Sequence, residues 1–277
     1  MPPELELLTF SPPPHEFLSS RIEMLGYSLK QVYETTSTMD EAQKFSPGVV
    51  VTADHQIRGR GRVGRSWLDE PGKSLLATVV EPFDPEIEAL PIHASQLFVL
   101  SALRAINRVG GADKIKIRWP SDLVFDNKKL GGILIENHTD DSGSKLFFGL
   151  GVNFDYENAD GVFPATDYGA TSVQEAFGRG LLREEVLVEF LRFWKDAKSE
   201  LVQIDSPEIF DYYQALWRAN SELLGKTIEI KGIGKNFEEK VLGKVCDTPF
   251  GGGIVMDIEG SLQEISEYHS QTIVQPV

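Results

Sequence analysis

Between Arg58 and Trp67 the chain reads RGRGRVGRSW, which places four arginines and three glycines in one short run. Glycine lets backbone pass close to a ligand and turn where a side chain would block it, and each guanidinium is a planar donor that stays charged. Together they suit a phosphate or a carboxylate. The run lacks the Gly-Lys-Ser/Thr ending of a Walker A loop and the spacing of a dinucleotide fingerprint. By composition alone it reads equally as a solvated basic loop. What argues for a site is that it abuts Trp67, an aromatic platform for a planar base.

A second group lies in RWPSDLVF and NKKLGGILIE. Lys129 stands just before a Gly-Gly pair at the start of an apolar strand, where an ammonium can point at a ligand lying over bare backbone; Lys128 is the solvated alternative. Taken alone, a lysine at a strand start is more often a surface charge. Asp122 could cap a turn, pair with an arginine or help hold Mg²⁺, the turn role being the commonest. Asn153 in GLGVNF offers an amide for a base edge or a buried structural hydrogen bond. His15, His55, His93, His138 and His269 are scattered, with no HExxH pair, and there is no GxSxG elbow. Zinc and serine hydrolysis therefore lack their groups. An anion site of arginines, lysine and backbone remains, suited to phosphoryl or nucleotidyl transfer, where positioning and charge do most of the work.

These residues need a frame. VYET and GVVVTAD read as strands flanking a helix in STMDEAQKF, with Ser37 or Thr38 as its N-cap. SLLATVVE is a further strand, and Leu97, Leu100, Leu103 and Ile106 predict a helix from about Pro91 to Asn107. KIKIRWPSDLVF, KLGGILIENH and KLFFGLGVNF form a meander of paired strands. Val186, Phe190, Trp194, Ala197 and Leu201 mark one face of a long helix, and Phe210, Tyr213, Leu216 and Trp217 mark another. After residue 222 come short strands at close spacing with glycine turns, as in a small barrel: TIEIKG, KVLGKVCD, GGGIVMDIEG and SLQEISE. The expected fold class is α+β, a mixed, largely antiparallel sheet with helices in residues 31–222, then a small all-β domain in 223–277. Residues 1–30, with five prolines before Phe17, are expected to be an extension.

Composition narrows the setting. A formal net charge of −15 opposes a general polyanion surface, so the arginines must act locally. Cys246 is the single cysteine, which excludes an internal disulfide and fits a reducing cytoplasm. The acidic, proline-rich start has neither the basic flank nor the apolar core of a signal peptide, and no stretch is long and apolar enough to span a membrane.

In order along the chain, TTSTMDEA, DHQIRGRGRVGRSW, KIRWPSD, KKLGGILIE, GLGVNF and ATSVQEAFG closely resemble the biotin protein ligase family. The resemblance runs from about Val32 to the end. It implies a class II synthetase-like catalytic domain with an SH3-like C-terminal barrel, and a two-step reaction. Biotin carboxylate attacks the α-phosphate of Mg-ATP, giving biotinyl-5′-AMP and pyrophosphate; a lysine of a biotin carboxyl carrier protein then takes the biotin as an amide. It further implies Lys129 and Arg62 as catalytic residues, with Ser37, Thr38, Met39, Gln56, Arg60, Gly61, Arg62, Lys129 and Gly132 on biotin. Arg60, Arg62, Arg65, Trp67, Lys129 and Asn153 fall on the ATP or adenylate side, and Asp122 near Mg²⁺. An acyl-adenylate hydrolyses if water reaches it, so residues near 58–66 and 157–168 are expected to order over the ligands.

Two departures stand out: Met39 where the family commonly has asparagine, and Ser121 where it commonly has asparagine before Asp122. Members that double as repressors carry a helix-turn-helix domain, which some thirty proline-rich acidic residues cannot form, so no DNA binding is expected. Homodimerisation through sheet edges stays open. Two rival readings share the pocket: a lipoate or octanoate ligase or transferase of the same fold, and a non-catalytic biotin or nucleotide sensor. The Arg/Gly loop and the C-terminal barrel favour the biotin branch.

Overall fold

The β-branched and aromatic runs between residues 28 and 153 become the strands of one sheet. In the computed structural model, which describes residues 15–82, 91–140, 143–163, 168–233, 239–266 and 273–276, the strands are β1 (Ser28–Thr35), β2 (Val49–Gln56), a short hairpin of β3 (Gly59–Arg60) and β4 (Ser66–Trp67), β5 (Ser74–Pro82), β6 (Lys116–Arg118), β7 (Asp122–Phe125), β8 (Lys128–Asp140) and β9 (Gly143–Asn153). The sheet order is β1-β2-β5-β9-β8-β7-β6. Only β1 and β2 pair in parallel; every other neighbour is antiparallel, as expected of a mixed, largely antiparallel sheet.

Helices are α1 (His15–Met24), α2 (Thr38–Ala42), α3 (Pro91–Gly110), α4 (Ala159–Val162), α5 (Val173–Phe177), α6 (Arg183–Leu201) and α7 (Pro207–Asn220). Successive strand residues point to opposite faces, and β9 shows what each face does. Phe148 turns toward α3 and α6, with its ring centroid 5.1 Å from Phe98 and 4.9 Å from Trp194. Phe147 turns the other way, onto Met39, Ala42, Val51 and Val80 beneath the short α2. Each fully buried large apolar side chain contributes roughly 1.5–3 kcal/mol. The helical face, with α3 and α6 and most of the core, therefore carries the stability and leaves the α2 face free for a cavity.

Of the expected extension, residues 1–14 lie outside the described residues, and α1 packs on the sheet's helical layer: Leu18 and Ile22 are buried in the main core and Arg21 pairs with Glu185 of α6. That partner lies 164 residues away in sequence, beyond the reach of any local pattern. β1 likewise begins at Ser28, ahead of VYET, because pairing with β2 extends it. Buried Glu81 on β5 accepts hydrogen bonds from Tyr27 Oη (2.9 Å), Trp194 Nε1 (2.8 Å) and Lys198 Nζ (2.6 Å), tying sheet to helix layer.

A second, five-stranded antiparallel sheet follows: β10 (Thr227–Ile233), β11 (Glu239–Asp247), β12 (Ile254–Ile258), β13 (Ser261–Ile265) and β14 (Ile273–Pro276), ordered β13-β12-β11-β10-β14. It is compatible with the SH3-like barrel expected; β14, which pairs with β10, was not among the strands read from sequence. The approach to this sheet is anchored on β6. Glu222 N–H donates to Ile117 O at 2.8 Å, and its carboxylate takes Arg118 Nε at 2.7 Å and Nη2 at 2.9 Å, with Arg118 only 1% exposed. No helix among the described residues is long and apolar enough to cross a membrane.

Burial pushes the Glu222 carboxyl up, but Arg118 and Lys226 outweigh it and hold it below its ordinary value of 4.5. A carboxyl depressed in the folded state stabilises above its unfolded pKa, and that stability is lost as pH falls through the folded value. Glu222→Gln should therefore cost about 3 kcal/mol at pH 7, since it strands a buried guanidinium. It should also flatten the loss of stability below pH ~4.5. Urea unfolding of both proteins across the acid range checks this; parallel acid limbs would contradict it.

Candidate active site

On the α2 face the sheet carries a cavity of about 460 Å³. Every site residue singled out from sequence lines it: Ser37, Thr38, Met39, Gln56, Arg60, Gly61, Arg62, Arg65, Trp67, Asp122, Lys129, Gly132 and Asn153. Its floor is made of glycines, and the reason is specific at each. A Cβ on Gly149 would lie 2.9 Å from Met39 Sδ, and one on Gly151 would lie 2.8 Å from the Trp67 ring. At Gly132 it would meet Asp122 Oδ1 at 3.0 Å and Lys129 Nζ at 3.6 Å. These strand glycines clear space for the site's own side chains, a role sequence reading had given only to ligand approach.

One end of the cavity is neutral and donor-rich. Ser37 caps α2, its Oγ accepting from Met39 N–H at 3.2 Å. Gln56 Oε1 accepts from Thr38 N–H (2.7 Å) and Thr38 Oγ1 (3.1 Å), while Thr78 Oγ1 donates to Thr38 Oγ1 at 2.9 Å. A backbone N–H can only donate, so Gln56 must turn its oxygen to Thr38 and offer its amide N–H groups elsewhere. Behind it, buried Asp69 accepts from Gln56 N–H at 3.3 Å and contacts His55 Nδ1 at 2.9 Å, closing the stem from which the arginine run departs. Burial raises the Asp69 carboxyl above its ordinary value despite the neighbouring imidazole.

The other end is cationic. The run from Arg58 folds into the β3–β4 hairpin, pairing Gly59 with Trp67 and Arg60 with Ser66, with one 3₁₀ turn at Arg62–Gly64 between them. Arg60 bridges Asp40 and Glu136 (3.0 Å to Oε2); burial works against its charge, but these two carboxylates raise its pKa overall. Arg62 Nη1 donates to Ser121 Oγ at 3.2 Å, which gives that departure residue a partner. Trp67 Nε1 is buried with no hydrogen-bond partner among the described residues. Asn153 Nδ2 donates to Thr171 O at 3.1 Å, so its amide is a structural tie as well as a pocket wall.

Lys129 Nζ lies 2.7 Å from Asp122 Oδ1, and Asp122 Oδ2 accepts from Tyr168 Oη. Burial pushes the Asp122 carboxyl up, but Lys129, Tyr168 and Arg62 together hold it below its ordinary range. Burial and the Asp122 charge raise the Tyr168 phenol well above its ordinary value. Lys128 instead faces Asp160 at 2.7 Å, as a solvated charge should. Both Asp122 oxygens accept one hydrogen bond each, so the Mg²⁺ role expected of it would share the carboxylate with Lys129 and Tyr168. Among the described residues no group of three or more His, Cys, Asp or Glu converges to hold a metal.

Sequence reading missed Tyr168, Asp69, His55 and the Asp40–Glu136 bracket on Arg60. Tyr168 comes from 46 positions beyond Asp122 and Glu136 from 76 beyond Arg60, separations that no local pattern reveals. Of the segments expected to act as lids, residues 164–167 lie outside the described residues.

Residues 26–153 match the biotin/lipoate A/B protein ligase family. A biotin--[acetyl-CoA-carboxylase] ligase of Paracoccus denitrificans is 33% identical over 165 residues, covering 55% of this chain and 65% of that protein. The bifunctional ligase/repressor BirA of Bacillus spizizenii is 26% identical over 232 residues, covering 80% of this chain and 68% of its own length. In fold, the chain resembles the biotin protein ligase of Aquifex aeolicus solved with biotin and ATP, with a TM-score of 0.74 at 23% identity over 90% of this chain and 99% of that one. The seven-stranded sheet and most of the glycine-floored cavity are built from residues 26–153, the stretch that matches the biotin/lipoate A/B protein ligase family.

Proposed function

We infer that the chain is an ATP-dependent biotin protein ligase, which makes biotinyl-5′-AMP and passes the biotin to a lysine of a biotin carboxyl carrier protein. One observation carries this reading: a single cavity has a neutral donor-rich end at Ser37, Thr38 and Gln56 and a cationic end at Lys129, Arg60, Arg62 and Arg65. A ureido carbonyl is a strong neutral acceptor and satisfies the first end. The carboxylate joined to it by an apolar chain, and the phosphate it attacks, satisfy the second. A lipoyl dithiolane carries no comparable acceptor and would leave the Gln56 amide unpaired, at a cost of roughly 1–3 kcal/mol.

Each residue then has a role that follows from its contacts. Lys129 sits where the carboxylate and the α-phosphate must meet, offsetting their repulsion and the charge that grows on the phosphate oxygens. Arg60, on its two carboxylates, forms a fixed wall beside α2, while Arg62 and Arg65 reach in from the hairpin. Trp67, packed on Gly151 with its indole N–H unpaired among the described residues, borders the nucleotide. What this chain's own residues supply toward the polyphosphate is Lys129 and these arginines.

Biotin-dependent pyrophosphate–ATP exchange is expected, with little or none supported by lipoate or octanoate. Lys129→Ala should lower it about 10²–10³-fold, the scale of losing one fixed electrostatic donor. Exchange supported by lipoate alone would move the protein to the lipoate branch, and none with any acid would leave a sensor. Gln56→Leu is a finer test. It should raise the KM for biotin roughly 10–100-fold, matching an unpaired ureido acceptor, with a smaller change in kcat. The hairpin arginines are themselves tryptic sites, so biotin plus ATP should slow cleavage there by about fivefold or more if the hairpin closes over the ligands; equal rates would refute closure.

A further inference from the structure

One short segment grips Lys129 in three places. Residues 169–171 run beside it as a parallel bridge, with Lys129 N–H donating to Gly169 O at 3.0 Å and Thr171 N–H donating to Lys129 O at 2.8 Å. From the adjoining residue the Tyr168 hydroxyl donates to Asp122 Oδ2, and Asp122 Oδ1 accepts from Lys129 Nζ at 2.7 Å. The other side of Tyr168 is held as well: the Arg118 guanidinium carbon lies 4.0 Å from its ring centroid, and Arg118 is locked to Glu222. A lysine ammonium on a flexible four-carbon stem has no preferred pose of its own. A carboxylate gripped at one oxygen can still rotate about its Cβ–Cγ bond; gripped at both, it presents a fixed acceptor.

We propose that Tyr168 is a positioning residue: its hydroxyl fixes the Asp122 carboxylate, which in turn holds the Lys129 ammonium at the point where the two anionic groups meet. The inference rests on the biotin-ligase reading for its chemistry, though not for its geometry. Because a bound carboxylate or phosphate must draw Lys129 partly away from Asp122, the Tyr168 bond keeps the freed carboxylate satisfied during that exchange of partners. An unpaired buried carboxylate would otherwise oppose it.

Tyr168→Phe isolates the hydroxyl, since the ring remains over Arg118. Two readouts on the full chain decide the matter. Competitive acetylation with acetic anhydride, read by mass spectrometry as Lys129 labelling relative to Lys128, should rise about threefold or more in the ligand-free variant as the ion pair loosens. Asp122→Asn should raise it at least as far. Biotin-dependent exchange should show kcat down about tenfold with the KM for biotin within about twofold, the pattern of a lost positioning contact. Wild-type labelling and exchange within about twofold of wild type would overturn the proposal. So would a fall in exchange with labelling unchanged, which would put the phenol on the substrate itself. A wild-type protein without biotin-dependent exchange would remove the ligase reading, and the labelling ratio alone would then decide the clamp.

Discussion

Several cations share one end of one cavity, and their mutual repulsion has to be offset before any ligand arrives. At a separation of about 4 Å two like charges oppose each other by about 1 kcal/mol in water and about 4 kcal/mol near a protein surface. The chain answers with carboxylates placed one step behind two of the four donors: Asp40 and Glu136 on Arg60, Asp122 on Lys129. Under the proposed function, an anionic ligand would enter by exchanging partners with these carboxylates, which favours strong, multidentate anions over chloride or a lone carboxylate.

That arrangement depends on the sheet being bare where the side chains must lie. Gly132, Gly149 and Gly151 sit on neighbouring strands β8 and β9, and the volumes they vacate are filled by Lys129 with Asp122, by Met39 and by Trp67 respectively. The floor is thus a template that sets the height of each group above the strands. Met39 belongs to this template: its thioether closes the gap over Gly149 and joins the apolar patch under α2. The departure from asparagine at this position exchanges a polar wall for packing.

The site is also continuous with the approach to the second sheet. Tyr168 stacks on Arg118, Arg118 is clamped by Glu222, and Glu222 is followed within a few residues by β10. A further set of bonds joins the turn before β12 to the helices: Gly251 N–H donates to Gln96 Oε1 at 2.6 Å and Phe250 N–H to Gln214 Oε1 at 2.9 Å. Both contacts pair a side-chain amide with backbone that would otherwise be buried unpaired, so the turn is held in one register against α3 and α7.

Much of the frame was written locally. Alternating apolar runs specified most of the strands, the three-residue spacing of Leu97, Leu100, Leu103 and Ile106 specified α3, and Ser37 before Thr38 announced the cap of α2. The ordered set of motifs was specific enough to point to the family that residues 26–153 match and to nominate residues that all prove to line one cavity. What periodicity could not supply was anything settled by contact between distant segments: α1 as core, β14 as a strand, Asp69 under Gln56, and Tyr168 on Asp122. A residue's type and neighbours in sequence set its intrinsic chemistry and local conformation. Which carboxylate holds which cation, and which glycine makes room for which side chain, depends on distances that exist only once the strands have paired and packed.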